Sequence, residues 1–106
     1  MKKQRNKTVE CQDGFFMSVQ AFAGAYCHPK NDVGPYTEVE VGYPSHSEAL
    51  LMEYAEDPSR PTDTVYAWVP REIVLLVIAK HGGMTGGDLP YGISNLWEMG
   101  ANHESI

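Results

Sequence analysis

The segment from Tyr26 to Tyr36, YCHPKNDVGPY, brings together side chains that carry out chemistry in many enzymes. Cys27 and His28 are adjacent, and Asp32 follows shortly after them. A thiol, an imidazole and a carboxylate together can form an activated cysteine nucleophile. The same residue types also ligate metal ions. The segment is therefore either the centre of an active site or a connecting loop.

The local pattern favours a loop. Adjacent residues of a strand point to opposite faces, so Cys27 and His28 cannot readily pair with each other. Proline, glycine, asparagine and aspartate between Cys27 and Tyr36 predict a hairpin connection of about eight residues. Cys27 continues the apolar face of the preceding predicted strand, so we expect it to be a small buried hydrophobic residue. A nucleophilic Cys27 would need a base from elsewhere in the chain, namely His46, His81 or His103.

Other chemical motifs are not apparent. The four histidines and two cysteines show no metal-ligand spacing. The glycine-rich stretch HGGMTGGDLP follows a predicted helix, whereas a phosphate-binding loop precedes one. The sequence therefore predicts no catalytic residue, no cofactor and no metal. A small enzyme or metal-binding protein with its site near Cys27, His28 and Asp32 is the alternative.

Charge is distributed unevenly along the chain. The net charge is −6, and Lys2, Lys3, Arg5 and Lys7 supply half of the eight basic residues. From Thr8 onward, four Lys or Arg stand against all fourteen Asp and Glu, a net charge of −10. Because phosphate backbones are bound by neutralising Lys and Arg, nucleic acid is an unfavourable partner. A second alternative is an acidic decoy that occupies a nucleic-acid-binding protein.

No segment has the length of a membrane span. The longest apolar run, Ile73 to Ala79, is far shorter than the roughly 18 residues that a span requires. The basic start is not followed by an apolar segment typical of a secretion signal. Two cysteines are too few for a disulfide framework. We therefore expect a cytoplasmic protein with two free thiols.

Period-two alternation predicts three strands. In Phe15–Cys27 every second residue is apolar, which indicates a core face. In Tyr36–Tyr43 valines alternate with Glu38 and Glu40, which is typical of a sheet with one solvated face. Thr64–Val69 is apolar or amphipathic on both faces, so we expect it at the centre of the sheet.

Capping patterns predict two helices. Ser45 and Glu48 have the spacing of a capping box and predict a helix from about His46 to Glu56. Pro70 at the start and Gly82 after the end predict a second helix over Pro70–His81. This second helix is apolar around its whole circumference, so we expect part of it to contact another subunit.

The sequence thus predicts an α+β fold, in which a small antiparallel sheet of about three strands carries two helices on one face in the order β-β-α-β-α. A flexible tail (1–14), one domain (15–83) and a C-terminal arm (84–106) divide the chain. The predicted function is a small acidic, non-enzymatic interaction module that binds a protein partner and self-associates. The candidate binding residues are Leu76 on the second helix and four residues of the arm: Tyr91, Leu96, Trp97 and Met99.

Overall fold

Five short antiparallel strands form one sheet in the computed structural model, which describes residues 5–93. A 3₁₀ helix, Ala49–Tyr54, precedes the fourth strand, and helix α1, Arg71–Lys80, follows it. The α+β class is confirmed, whereas the predicted count of three strands and two helices is wrong in detail. The strands are β1 Val9–Cys11, β2 Phe16–Gln20, β3 Glu38–Gly42, β4 Val65–Pro70 and β5 Met84–Gly86, in the spatial order β4-β3-β2-β1-β5.

The central strands β2 and β3 follow the predicted alternation. Met17 and Val19 of β2 are fully buried, and so are Val39 and Val41 of β3. Phe16, the first residue of β2, is 46% exposed. One face of the sheet therefore packs into the core, as period-two patterning requires.

The first predicted strand ends earlier than its sequence pattern indicates. β2 stops at Gln20 instead of Cys27, and residues 22–26 form bends and a turn. Ala25 and Cys27 are buried as expected, but Ala23 is exposed, and its N–H donates to Asp32 Oδ1 (2.8 Å). Alanine and glycine have low strand propensity, so this segment does not sustain the ladder.

The helix predicted over His46–Glu56 is also wrong, because only the 3₁₀ helix forms there. Ser45 does not cap it: the Ser45 hydroxyl accepts the Phe16 N–H (3.0 Å) and the Ser45 N–H donates to the Phe16 carbonyl (2.8 Å). Glu48 is the N-cap instead, and its carboxylate accepts the Leu50 N–H. The contact with β2 therefore displaces the start of the helix.

Helix α1 matches its prediction closely. Pro70 and His81 flank it as caps, with Glu72 in its first turn and Lys80 in its last. Val74, Val77 and Ile78 share the spacing of one helix face and are buried. Leu76 lies outside that face and is 54% exposed. No helix within residues 5–93 is long and apolar enough to cross a membrane.

Strand β4 lies at the edge of the sheet and not at its centre. In a regular strand Tyr66 and Val69 would point to opposite faces, yet both are buried. The alternation that suggested a central strand is therefore interrupted, and the strand is at the edge. An irregularity in the β3–β4 register lies between Val39 and Val41, and Trp68 has a φ of +49°. A β-bulge of this kind re-aims side chains and twists an edge strand.

Two strands, β1 and β5, are additional to the predicted set. β1 pairs with β2 on one side and with β5 on the other, so part of the segment predicted to be a tail lies inside the sheet. Gly87, after β5, has a φ of +101° and no room for a side chain, since a Cβ atom there would lie 2.2 Å from the Thr8 carbonyl oxygen. The glycine-rich stretch after α1 is thus partly a close packing element.

Candidate functional site

The cysteine of the YCHPKNDVGPY segment is placed in the protein interior. Cys27 is 2% exposed, and its Sγ lies 3.2 Å from the Phe22 carbonyl oxygen and 3.4 Å from the Pro29 carbonyl oxygen. Within residues 5–93, both hydrogen-bond partners of this thiol are backbone carbonyls and neither is an imidazole. A reactive cysteine needs a partly exposed, electropositive environment, which this position does not provide.

His28 and Asp32 contribute to the structure of the same loop. The His28 N–H donates to the Glu38 carbonyl (3.0 Å), and the His28 carbonyl accepts the Thr37 N–H (2.8 Å). The Asp32 carboxylate accepts the Ala23 N–H. Within residues 5–93, no group of three or more His, Cys, Asp or Glu could hold a metal ion. The structure therefore does not assemble Cys27, His28 and Asp32 into a site.

A charged network that has no sequence motif surrounds His81, immediately after α1. Nε2 of His81 lies 2.7 Å from Glu48 Oε1, and Nδ1 lies 2.7 Å from Asp13 Oδ2. Lys80 Nζ donates to the other Glu48 oxygen (2.8 Å). The imidazole also stacks on Phe15, with ring centroids 4.0 Å apart. This network connects the β1–β2 turn, the start of the 3₁₀ helix and the end of α1.

Electrostatics hold the His81 network in its charged form. Burial opposes the charge on His81, but the hydrogen bonds to Glu48 and Asp13 outweigh it and raise the His81 pKa above its ordinary value. Burial likewise opposes the charge on Glu48, yet Lys80, the Leu50 N–H and His81 together lower the Glu48 pKa. For Asp13, the Phe15 N–H and then His81 lower the pKa.

The same geometry limits what the network can do chemically. Both nitrogens of His81 face carboxylates, which favour the protonated ring, so neither nitrogen is directed toward an external substrate. The Glu48 side chain is 1% exposed, which keeps it away from any external ligand. Nearby Cys11 is also a poor nucleophile, because burial and then the charge of Asp13 raise its pKa. The network is therefore suited to fastening three elements together.

An exposed aromatic pair lies at the edge strand β4. Tyr26 is 38% exposed and Trp68 49% exposed, and their ring centroids lie 5.2 Å apart with the planes inclined by 43°. The backbone N–H of Trp68 donates to the backbone carbonyl of Tyr26 (3.1 Å). We call Tyr26 and Trp68 the ring pair. Their backbone hydrogen bond and ring contact fix them relative to each other.

The surroundings of Tyr26 hold the ring pair in place. Tyr26 lies between buried Ala25 and buried Cys27, and its N–H donates to Glu40 Oε1 (3.0 Å). Lys30 Nζ donates to the Ala25 carbonyl (2.8 Å) and lies 6.0 Å from the centroid of the Tyr26 ring. Buried neighbours and backbone hydrogen bonds together make the ring pair a preformed surface feature.

The binding residues expected from the sequence lie apart from the ring pair in the chain. Leu76 is 54% exposed on α1, and Tyr91 is 60% exposed near the end of the described residues. Leu96, Trp97 and Met99 lie outside residues 5–93. The sequence pattern placed Tyr26 and Trp68 on separate strands, and it held no indication that their rings meet.

Comparison with known proteins assigns no relationship: no family model matches the chain, and neither a curated protein nor a solved structure does.

Proposed function

We propose that this chain is a small, acidic, non-enzymatic interaction module that binds a protein partner through the ring pair. The observation that carries the proposal is the contact between two exposed rings, those of Tyr26 and Trp68, and the backbone of Trp68 supports it. This residue has a φ of +49° and still presents a side chain that is 49% exposed. A bulky residue in the left-handed region costs about 1–2 kcal/mol, and glycine would avoid that cost. Strain of this kind is concentrated at functional positions.

The composition of the ring pair supports binding to protein. Tryptophan and tyrosine are enriched at interfaces and dominate their energetics, because each combines a large apolar body with a polar tip. A single exposed aromatic residue is ordinary. Two exposed rings in contact, held by the hydrogen bond between Trp68 and Tyr26, form a small anchor patch instead.

Self-association through α1 is the second candidate, and one observation favours it. Leu76 is 54% exposed in a helix whose neighbouring positions are apolar, so more than half of this residue faces solvent. Solution mass tests this candidate. A dimer that becomes a monomer when Leu76 is replaced by lysine would support it. A monomer at every concentration would remove it.

Affinity capture with matched variants tests the ring pair. The protein is immobilised, exposed to a lysate of its native host, and the recovered proteins are quantified by mass spectrometry. Tyr43 gives the matched control, since it is 56% exposed and has a φ of +48°. We expect recovery of a specific partner to fall at least tenfold for Trp68→Ala and to stay unchanged for Tyr43→Ala. Equal recovery by wild type and Trp68→Ala would contradict the proposal.

A further inference from the structure

On the basis of this proposed function, we infer that the ring pair binds a proline-rich segment that carries arginine or lysine. The planes of Tyr26 and Trp68 are inclined by 43° at a centroid separation of 5.2 Å, so the rings are not stacked in parallel, and both keep exposed surface. A proline ring can therefore pack against both aromatic side chains at once.

The polar tips of the ring pair are also available. The Tyr26 hydroxyl and the Trp68 indole N–H make no hydrogen bond to another residue within 5–93. A polyproline II segment has no internal hydrogen bonds, so its carbonyl oxygens accept from such donors. Because this conformation is preformed, its ordering on binding costs little entropy. Apolar ring faces flanked by donors thus fit a polyproline II ligand.

Charge selects among ligands that could pack on aromatic rings. From Thr8 onward the chain carries a net −10, which disfavours nucleobases attached to phosphates and acidic peptides. Glu40 lies directly beside the ring pair, since its Oε1 accepts the Tyr26 N–H. Basic residues in the ligand therefore complement both the whole protein and this neighbourhood.

Lys30 argues against a bare cation as the ligand. Its ammonium lies 6.0 Å from the centroid of the Tyr26 ring and is held there by the Ala25 carbonyl. A quaternary ammonium between the rings would meet this positive charge at close range. A proline ring is neutral and tolerates Lys30, while the basic residues of a peptide extend toward Glu40.

Titration with a synthetic peptide tests the inference. The probe is a twelve-residue Pro-Pro-Arg repeat, compared with a Gly-Ser-Arg repeat of equal charge and a Pro-Pro-Glu repeat of opposite charge. Amide and indole signals in NMR spectra report binding, and Trp97 supplies a separate indole signal. We expect saturable shifts at Tyr26 and Trp68, with affinity at least tenfold higher than for either comparison peptide.

Variants make the result specific to the ring pair. We expect Tyr26→Ala and Trp68→Gly to weaken binding at least tenfold and Tyr43→Ala to leave it unchanged, with dispersed spectra confirming that each variant is folded. Equal affinity for the Gly-Ser-Arg repeat would reduce the interaction to charge alone and overturn the inference. Saturation by a neutral oligosaccharide, or concentration-dependent shifts without peptide, would assign the ring pair to a sugar or to a second copy.

The inference and the proposed function can fail separately. A partner whose capture depends on Trp68, combined with absence of peptide binding, would remove the proline-rich ligand and leave the interaction module standing. Peptide binding that survives Trp68→Gly would remove the ring pair as the peptide site, while loss of capture in Trp68→Ala would still support the ring pair as the partner site.

Discussion

Glu48 Oε1 and His81 Nε2 lie 2.7 Å apart, although 33 positions separate the two residues in the chain. The Glu48 side chain is 1% exposed, and that of His81 is 16% exposed. A hydrogen bond between charged groups is stronger than one between neutral groups. Since Glu48 also caps the 3₁₀ helix and accepts from Lys80, this one carboxylate joins the 3₁₀ helix to the end of α1.

Replacing Glu48 by glutamine should therefore destabilise the protein. The amide keeps the size of the side chain but removes the charge that balances Lys80 and His81. We expect a loss of about 2–3 kcal/mol in the free energy of unfolding, measured by urea denaturation, because breaking a buried ion pair leaves its partners uncompensated. The His81 pKa should fall toward its ordinary value in an NMR titration.

An exposed carboxylate gives the control for the Glu48 replacement. Glu56 is exposed, and Glu56→Gln should change the free energy of unfolding by less than about 0.5 kcal/mol. Equal effects of Glu48→Gln and Glu56→Gln would show that the Glu48–His81 contact contributes nothing specific.

Stability should depend on pH on both sides of a maximum. The folded-state pKa of His81 is raised, so its contribution is complete below the ordinary value of 6.5 and is lost as pH rises through the higher folded value. The folded-state pKa of Glu48 is lowered, so its contribution is complete above 4.5 and is lost as pH falls through the lower folded value. Asp13 behaves in the same sense as Glu48.

Thermal melting should consequently show the highest Tm between about pH 5 and 6.5. The pKa of the Cys11 thiol is raised above its ordinary value of 9.0, so this thiol does not produce the decline above pH 6.5. His81→Gln should flatten that decline between pH 6.5 and 8. An identical decline in His81→Gln would assign the pH dependence to other groups.

The two thiols should be inert in the folded protein. Cys11 is 4% exposed and Cys27 is 2% exposed, so reaction with a water-soluble disulfide reagent requires local opening. We expect both thiols to react at least about tenfold more slowly in buffer than in denaturing urea. A single fast thiol that is lost in Cys27→Ser would return the enzyme alternative at Cys27 to consideration.

The features that could be predicted from the sequence are those encoded locally. Helix α1 is bounded by Pro70 and Gly82 within a single segment, and the buried valines of β3 alternate with glutamates. β1 and β5 have three residues each, too few for a period to be recognised, and their pairing depends on contacts across most of the chain. Capping residues and local alternation therefore predict single helices and strands well, but they predict poorly which distant strands pair.

Neither the His81 network nor the ring pair could be predicted from the sequence, because both depend on long-range contacts. Asp13, Glu48 and His81 meet only because the β1–β2 turn, the 3₁₀ helix and the end of α1 converge. The ring pair depends on the bulge in β4, which turns Trp68 away from the position that strict alternation assigns. The sequence did not distinguish Tyr26 and Trp68 from the other aromatic residues, and their contact depends on the backbone.

The backbone of Trp68 yields a prediction that separates stability from binding. At a φ of +49°, glycine adopts the left-handed region without the penalty of a side chain, whereas alanine retains it. We therefore expect Trp68→Gly to be more stable than Trp68→Ala by about 1 kcal/mol in urea denaturation, although glycine normally weakens a strand. Both variants should lose partner capture equally. A Trp68→Gly protein that is less stable than Trp68→Ala would show that the bulge is not strained, and the backbone argument for a binding role of Trp68 would fail with it.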